Sequence, residues 1–190
     1  MKNVLFLINN LANGGAEKVL VNLVNNMDRS KYNVTVRTLF NYGENIKELN
    51  TSINYEYVFN RRFKGSNYLH LFPSKYIYNK VAYGDFDVIV VYLHGVLTKI
   101  ISKAPKQKKT VAFLHSNMGN SPFIKSFKSK KKIDNCFNSY DAIVSVSKSV
   151  QDSIHQIIGK RKNSYVVYNT FDVKKILSDS KDSIEKDLLL

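Results

Sequence analysis

The chain repeatedly sets a short, wholly apolar run ahead of a stretch with helical spacing. Val4–Ile8 (VLFLI), Asp87–Leu93 (DVIVVYL), Thr110–Leu114 (TVAFL) and Ala142–Val146 (AIVSV) have almost no polar face. A strand apolar on both faces must be covered on both, which is the condition of a parallel sheet between helices. Val34–Phe40 (VTVRTLF), Ile53–Phe59 (INYEYVF) and Tyr165–Tyr168 (YVVY) add strand-like runs. Between them, Ala16, Val19, Leu20, Leu23, Val24 and Met27 fall on one helical face. Asn67–Tyr83, Val96–Ser102 and Pro122–Tyr140 also read as helices, the second stopped by Pro105. Ser149–Ile158 reads as another, opened by Ser149 with Asp152 three residues on and closed by Gly159.

The predicted fold class is α/β: a doubly wound, mostly parallel, Rossmann-like sheet of about seven strands with helices on both faces. It accounts for residues 1–170. From Phe171 the sequence turns charged and only partly periodic, so residues 171–190 are expected to begin a connector to another domain.

Composition narrows the function classes. A single cysteine, Cys136, rules out an intramolecular disulfide and a zinc-thiolate cluster. The opening MKNVLFLINN has too short an apolar core for a signal peptide, and no run reaches the roughly 18 apolar residues of a membrane span. A soluble, cytoplasmic chain is expected. Lys plus Arg number 29 against 15 Asp plus Glu, a net charge of +14. Such an excess suits a polyanionic partner, although a lysine-rich genome also produces it.

In open α/β sheets ligands sit beyond the carboxyl ends of the strands. The residues to weigh are therefore Asn9 to Gly15, His94-Gly95, His115-Ser116-Asn117, Ser147 and Asn169-Thr170. Gly14 and Gly15 stand where a helix opens. Free N–H groups and a partial positive charge gather there, and glycine lets a diphosphate approach the backbone. The motif is neither G-x-G-x-x-G nor a Walker loop. Taken alone, two readings stand: Asn13 caps the helix and the glycines serve packing, or the backbone is opened for phosphate. Ser147 reads as a helix start, and Glu17 as an acid suited to a first turn.

N-G-G-A-E-K after the first strand resembles the N-terminal domain of family 4 glycosyltransferases of the GT-B fold. TVAFLHSN (Thr110–Asn117), YDAIVSVSKSV (Tyr140–Val150) and YVVYNTFD (Tyr165–Asp172) resemble further segments of that family, in order, from residue 3 to about residue 175. The resemblance implies a retaining glycosyltransferase. Its nucleotide-sugar donor, UDP-linked, would lie between two domains, with no other cofactor and no metal. By that analogy Gly14 and Gly15 bind the donor diphosphate, and His115, as the catalytic residue, holds the transferred sugar. Glu17, His94, Asn117 and Asn169 would then belong to the acceptor side. The acceptor would be a cell-surface polysaccharide or a lipid-linked saccharide.

The family's second domain carries a basic pair and a Glu-x7-Glu element. Glu48 and Glu56 have that spacing but run across a polar turn into a strand, so the match is set aside. Nothing else resembles the donor-binding half, and the chain alone is expected to be inactive. At Asn169-Thr170 the sequence departs from the Gly or Pro usual in the family. The run Phe123–Lys132 places Lys125, Lys128, Lys130, Lys131 and Lys132 among apolar residues. It suggests docking on an anionic membrane surface at the inner face of the cell membrane, with Arg61, Arg62 and Lys64 adding to it. A solvated lysine face is the plain alternative. Two rival functions remain open: a nucleic-acid-binding domain, for which the usual motifs are missing, and a free-standing binding or regulatory module.

Overall fold

The computed structural model describes residues 1–170, with Leu177 and Ser180; the connector expected over 171–190 otherwise lies outside the described residues. Seven strands form one all-parallel sheet: β1 (Lys2–Ile8), β2 (Tyr32–Phe40), β3 (Asn54–Phe59), β4 (Val88–Val91), β5 (Lys109–Leu114), β6 (Ala142–Ser145) and β7 (Ser164–Val166). Their order is β3-β2-β1-β4-β5-β6-β7. The chain winds outward from β1 to β3, then returns to β1's other side and winds outward again. The winding reverses between β1 and β4.

Alternation along β1 divides the core in two. Leu5 and Leu7 face one apolar cluster; Val4, Phe6 and Ile8 face the other. On the second face, α1 (Gly15–Asn25) buries Leu20, Val21 and Val24, helped by a 3-10 turn at Glu44–Glu48 that the sequence reading did not foresee. The first face carries α2 (Ser74–Val81), α3 (Val96–Ile101), α4 (Pro122–Lys125), α5 (Lys130–Asn138) and α6 (Lys148–Ile158). Each fully buried side chain here, such as Phe137 or Ile154, contributes about 1.5–3 kcal/mol relative to exposure.

Two expected helices are broken. Asn67–Tyr83 divides into a 3-10 turn, Ser66–Leu71, and α2, because Phe72 precedes Pro73 and is held extended. Pro122–Tyr140 divides into α4 and α5. Ser129 turns extended, and its hydroxyl accepts the Lys132 N–H as a new N-cap. The cap of α6 is Ser147, which also reads as a helix start in the sequence, and not Ser149 two residues on: its Oγ accepts the Val150 N–H at 3.2 Å. Serine at either position offers the same chemistry, and the backbone chose the one at the strand exit.

Glu48 ends a 3-10 turn, and Glu56 lies in β3, where its carboxylate binds the guanidinium of Arg37. Arg37 is buried, and it also donates to the carbonyls of Val81 and Tyr83. This pair pins the edge strand to the end of α2, a structural duty unlike donor binding.

Candidate functional site at the sheet's switch point

The winding reverses between β1 and β4, and in open α/β sheets the carboxyl ends of the strands at such a reversal are where ligands bind. The β1–α1 loop forms one wall. Its helix begins at Gly15, with Gly14 as an extended N-cap. Asn13 is not the cap; its amide reaches across to Glu44 Oε2 at 3.2 Å. A side chain on Gly14 would come within 2.8 Å of the Glu17 carboxyl carbon, so Glu17 folds back over the loop. A Cβ on Gly15 would meet nothing within 4 Å. The opening residue of α1 thus faces free space, its N–H among those the helix cannot satisfy internally.

The loop is held from behind by the segment after β2, which the sequence reading passed over. Leu11 N–H donates to Tyr42 O at 2.9 Å and Asn45 N–H to Leu11 O at 3.1 Å. The buried Asn45 amide also donates to Ala12 O. Gly43 has φ +132°, and a Cβ there would overlap the Leu11 carbonyl. Asn10 tightens the loop further by accepting the Ala12 N–H at 3.0 Å.

The facing wall comes from β4 and β5. Tyr92 is buried at the end of β4, and the His115 ring lies 4.4 Å from it and 5.0 Å from the Phe113 ring, centroid to centroid. The His94 ring sits 5.5 Å from Phe123. Where α3 begins, a Cβ on Gly95 would lie 3.6 Å from the Asn9 amide nitrogen, so the two strand exits meet across the switch point.

Burial shapes the charge of these groups. It holds the His115 imidazole down at about 4, with repulsion from His94 adding to the effect. Burial also lowers His94, and it raises the Tyr92 phenol. At neutral pH both imidazoles are therefore neutral, each with one donor and one acceptor nitrogen. Such a group orients a hydroxyl and is a poor source of protons.

Five buried polar atoms at this edge have no partner: Asn9 Oδ1, His94 Nδ1, His115 Nε2, Ser145 Oγ and Asn169 Oδ1. Buried polar atoms are nearly always paired, so a group of orphans at strand exits marks a place for ligand or ordered water. The remaining residues singled out from sequence are spread more widely. Asn117 is exposed, and its Oδ1 accepts the Gly119 N–H at 2.8 Å. Ser147 caps α6. Beside Asn169, the Thr170 carbonyl accepts from Asn22 of α1 at 3.2 Å, bringing the exit of β7 back over that helix. Asn9, Gly43, Asn45 and Tyr92 belong to the site and were not singled out individually, although Asn9 fell in the stretch marked by its place after β1.

The depressed His115 has a consequence for stability. In the unfolded chain an imidazole titrates near 6.5. Between that value and about 4 the unfolded state binds more protons than the folded one. The contribution of His115 to stability should therefore fall as the pH drops from about 6.5 toward 4, and level off below. His115 supplies at most about 2–3 kcal/mol of this loss. Urea unfolding at pH 7 and pH 5 measures it, and His115→Phe should shrink the difference. An unchanged slope would mean that the ring is solvated.

A model described as Glycosyltransferase Family 4 matches residues 13–175. No protein of curated function matches the chain. Among solved structures, Anabaena HepE in complex with UDP is similar at 20% identity and a TM-score of 0.58, over 92% of this chain and 45% of that one. HepE with UDP-glucose gives 18% identity and a TM-score of 0.55, over 92% and 45%. The N-terminal domain of Candida albicans trehalose-6-phosphate phosphatase gives 12% identity and a TM-score of 0.65, over 96% and 52%. At such identities the likeness is one of fold, and the chain spans about half the length of these structures. The family model covers Gly14 and Gly15, both histidine-bearing strand exits and the return of the chain after β7, and on that match the chain belongs to glycosyltransferase family 4.

Proposed function

We propose that the chain is the acceptor-side domain of a retaining glycosyltransferase that takes its sugar from a UDP-linked donor. The observation that carries this reading is the meeting, at one sheet edge, of an open helix N-terminus at Gly15 with the orphaned atoms of Asn9, His94 and His115. The HepE structures that share the fold hold UDP and UDP-glucose, which supports the donor class. In this reading the N–H of Gly15 stabilises negative charge as it grows on the departing diphosphate, and that of Gly14, which donates to Ala12 O at 2.8 Å in this structure, joins it when that turn opens. Neutral His115 holds a hydroxyl of the transferred sugar through Nε2. Glu17, His94, Asn117 and Asn169 face the acceptor, and Glu17 turns aside when the diphosphate arrives.

A second domain grips the nucleotide in this proposal, so the chain alone turns over little or no donor. The acceptor is a cell-surface polysaccharide or a lipid-linked saccharide at the inner face of the membrane. Lys125, Lys128, Lys130, Lys131 and Lys132, all exposed, would dock the domain there. Among the described residues no helix is long and apolar enough to cross a membrane.

The test joins the chain to whatever coding sequence follows Leu190 and offers the product UDP-sugars with saccharide acceptors. Transfer with the donor's anomeric configuration kept is expected. Transfer with inversion would overturn the retaining step. A full-length product that binds no nucleotide sugar would overturn the whole reading.

A further inference from the structure

Between Tyr57 and Gly84 the chain has no Asp or Glu, while Arg61, Arg62, Lys64, Lys75 and Lys80 are all exposed. None of the five makes an ion pair among the described residues. The same stretch exposes large apolar side chains: Phe63 at 42%, Tyr68 at 64%, Leu71 at 70%, Phe72 at 54% and Tyr76 at 61%. Single exposed hydrophobics are ordinary, but a run of them interleaved with unpaired cations is not. The segment is folded, not loose. Leu69, Ile77, Tyr78 and Val81 are buried in the core and hold it down. Tyr68 and Leu71 stand three apart in a 3-10 turn, so they project from the same side.

Its placement adds a second observation. Two lysines of the α3 region reach to either side. Lys103 Nζ donates to His70 O at 2.8 Å, beside Leu71, while Lys99 Nζ donates to Ser126 O at 3.3 Å, beside Lys125. The aromatic segment and the lysine run of α4–α5 therefore flank one helix on one face of the sheet. The first turn of α5 holds Lys130–Lys132 and no acid. Cations there oppose the helix dipole, and an external anion would offset that cost. A cavity of about 360 Å³, lined by Arg62, Lys64 and Tyr68 among others, is open to a phosphate-sized group.

We infer that the segment from Arg61 to Tyr76 is the apolar half of a membrane-docking face, seating Leu71 and Phe72 at the headgroup boundary of an anionic bilayer. Arg61, Arg62 and Lys64 take the headgroup phosphates, and the lysines of α4–α5 extend the contact. Aromatic and basic side chains are the types that settle at this depth. The inference builds on the membrane docking proposed for Lys125–Lys132 but not on transfer chemistry, so it is tested without donor or acceptor.

The experiment is co-sedimentation of the chain with phosphatidylglycerol-containing vesicles and with pure phosphatidylcholine vesicles, at low and high salt. The chain should pellet with the anionic vesicles and keep part of its binding at high salt. R61A/R62A should bind anionic vesicles about tenfold more weakly or worse. L71S/F72S should lose the salt-resistant part while keeping the salt-sensitive part. Both pairs are exposed, and unchanged thermal unfolding of each variant would show that its fold is kept. L71S/F72S binding like the unaltered chain at both salts would overturn the inference. So would equal, weak binding to both vesicles, and self-association without vesicle binding would assign the face to a second copy of the chain.

Discussion

Gly15→Leu should lower the turnover of the intact transferase by about 10²–10³-fold and leave the domain folded. The two halves of this expectation have separate causes. A Cβ at Gly15 meets no protein atom within 4 Å, and the backbone there is not left-handed, so the first atom of a side chain enters without strain. Leucine is the better helix former by up to about 1 kcal/mol, and thermal stability should hold or rise slightly. The space that the side chain enters is the approach to the free N–H groups of α1. Removing one such donor from a charge-stabilising site costs enzymes about 10²–10³ in rate, which sets the size expected here. Steady-state kinetics beside a melting curve makes the measurement. Unimpaired turnover would refute the diphosphate role.

Gly43→Ala should act the other way round, on stability first. Its φ of +132° is a region that L-residues avoid, at about 1–3 kcal/mol. The added Cβ would also overlap the Leu11 carbonyl, so the β1–α1 loop must shift. Overpacking of this kind costs a further 1–3 kcal/mol or so. Together these give a loss of about 3–5 kcal/mol, or roughly 10–15 °C in the melting temperature of a chain this size. Because the displaced carbonyl belongs to the glycine loop, donor affinity should fall with stability. Calorimetry and donor titration of one variant separate the effects. A melting point within about 3 °C of the unaltered chain would show that the loop accommodates the methyl group.

These two glycines show what the sequence makes visible. Gly15 stands between an apolar run and an amphipathic helix, so its place at a strand exit follows from local pattern alone. His94 and His115 are visible for the same reason, each directly after a strand-like run. Gly43 is different: what requires glycine there is the backbone of Leu11, far away in the chain, and no local pattern records such an approach. Asn45, which holds the Ala12 carbonyl, is equally silent in the sequence. The broken helices fail for a related reason. Serine and lysine fit a helix well enough, and Ser129 becomes a cap only because tertiary packing turns the chain there; Lys99, from α3, binds the Ser126 carbonyl nearby. The exposed row around Leu71 was read from sequence as one helix, because Tyr and Leu at those spacings normally face a core.

The account's central claim is that the opening of α1 receives the donor's diphosphate. The most direct measurement is the amide NMR spectrum of the chain titrated with UDP, followed at Gly14, Gly15 and Ala16, with the His115 ring observed alongside. The expected result is a saturable shift of those three amides and of His115, abolished in Gly15→Leu and smaller with uridine, which lacks the phosphates. Shifts confined to other strand exits, or equal shifts with uridine and UDP, would contradict it.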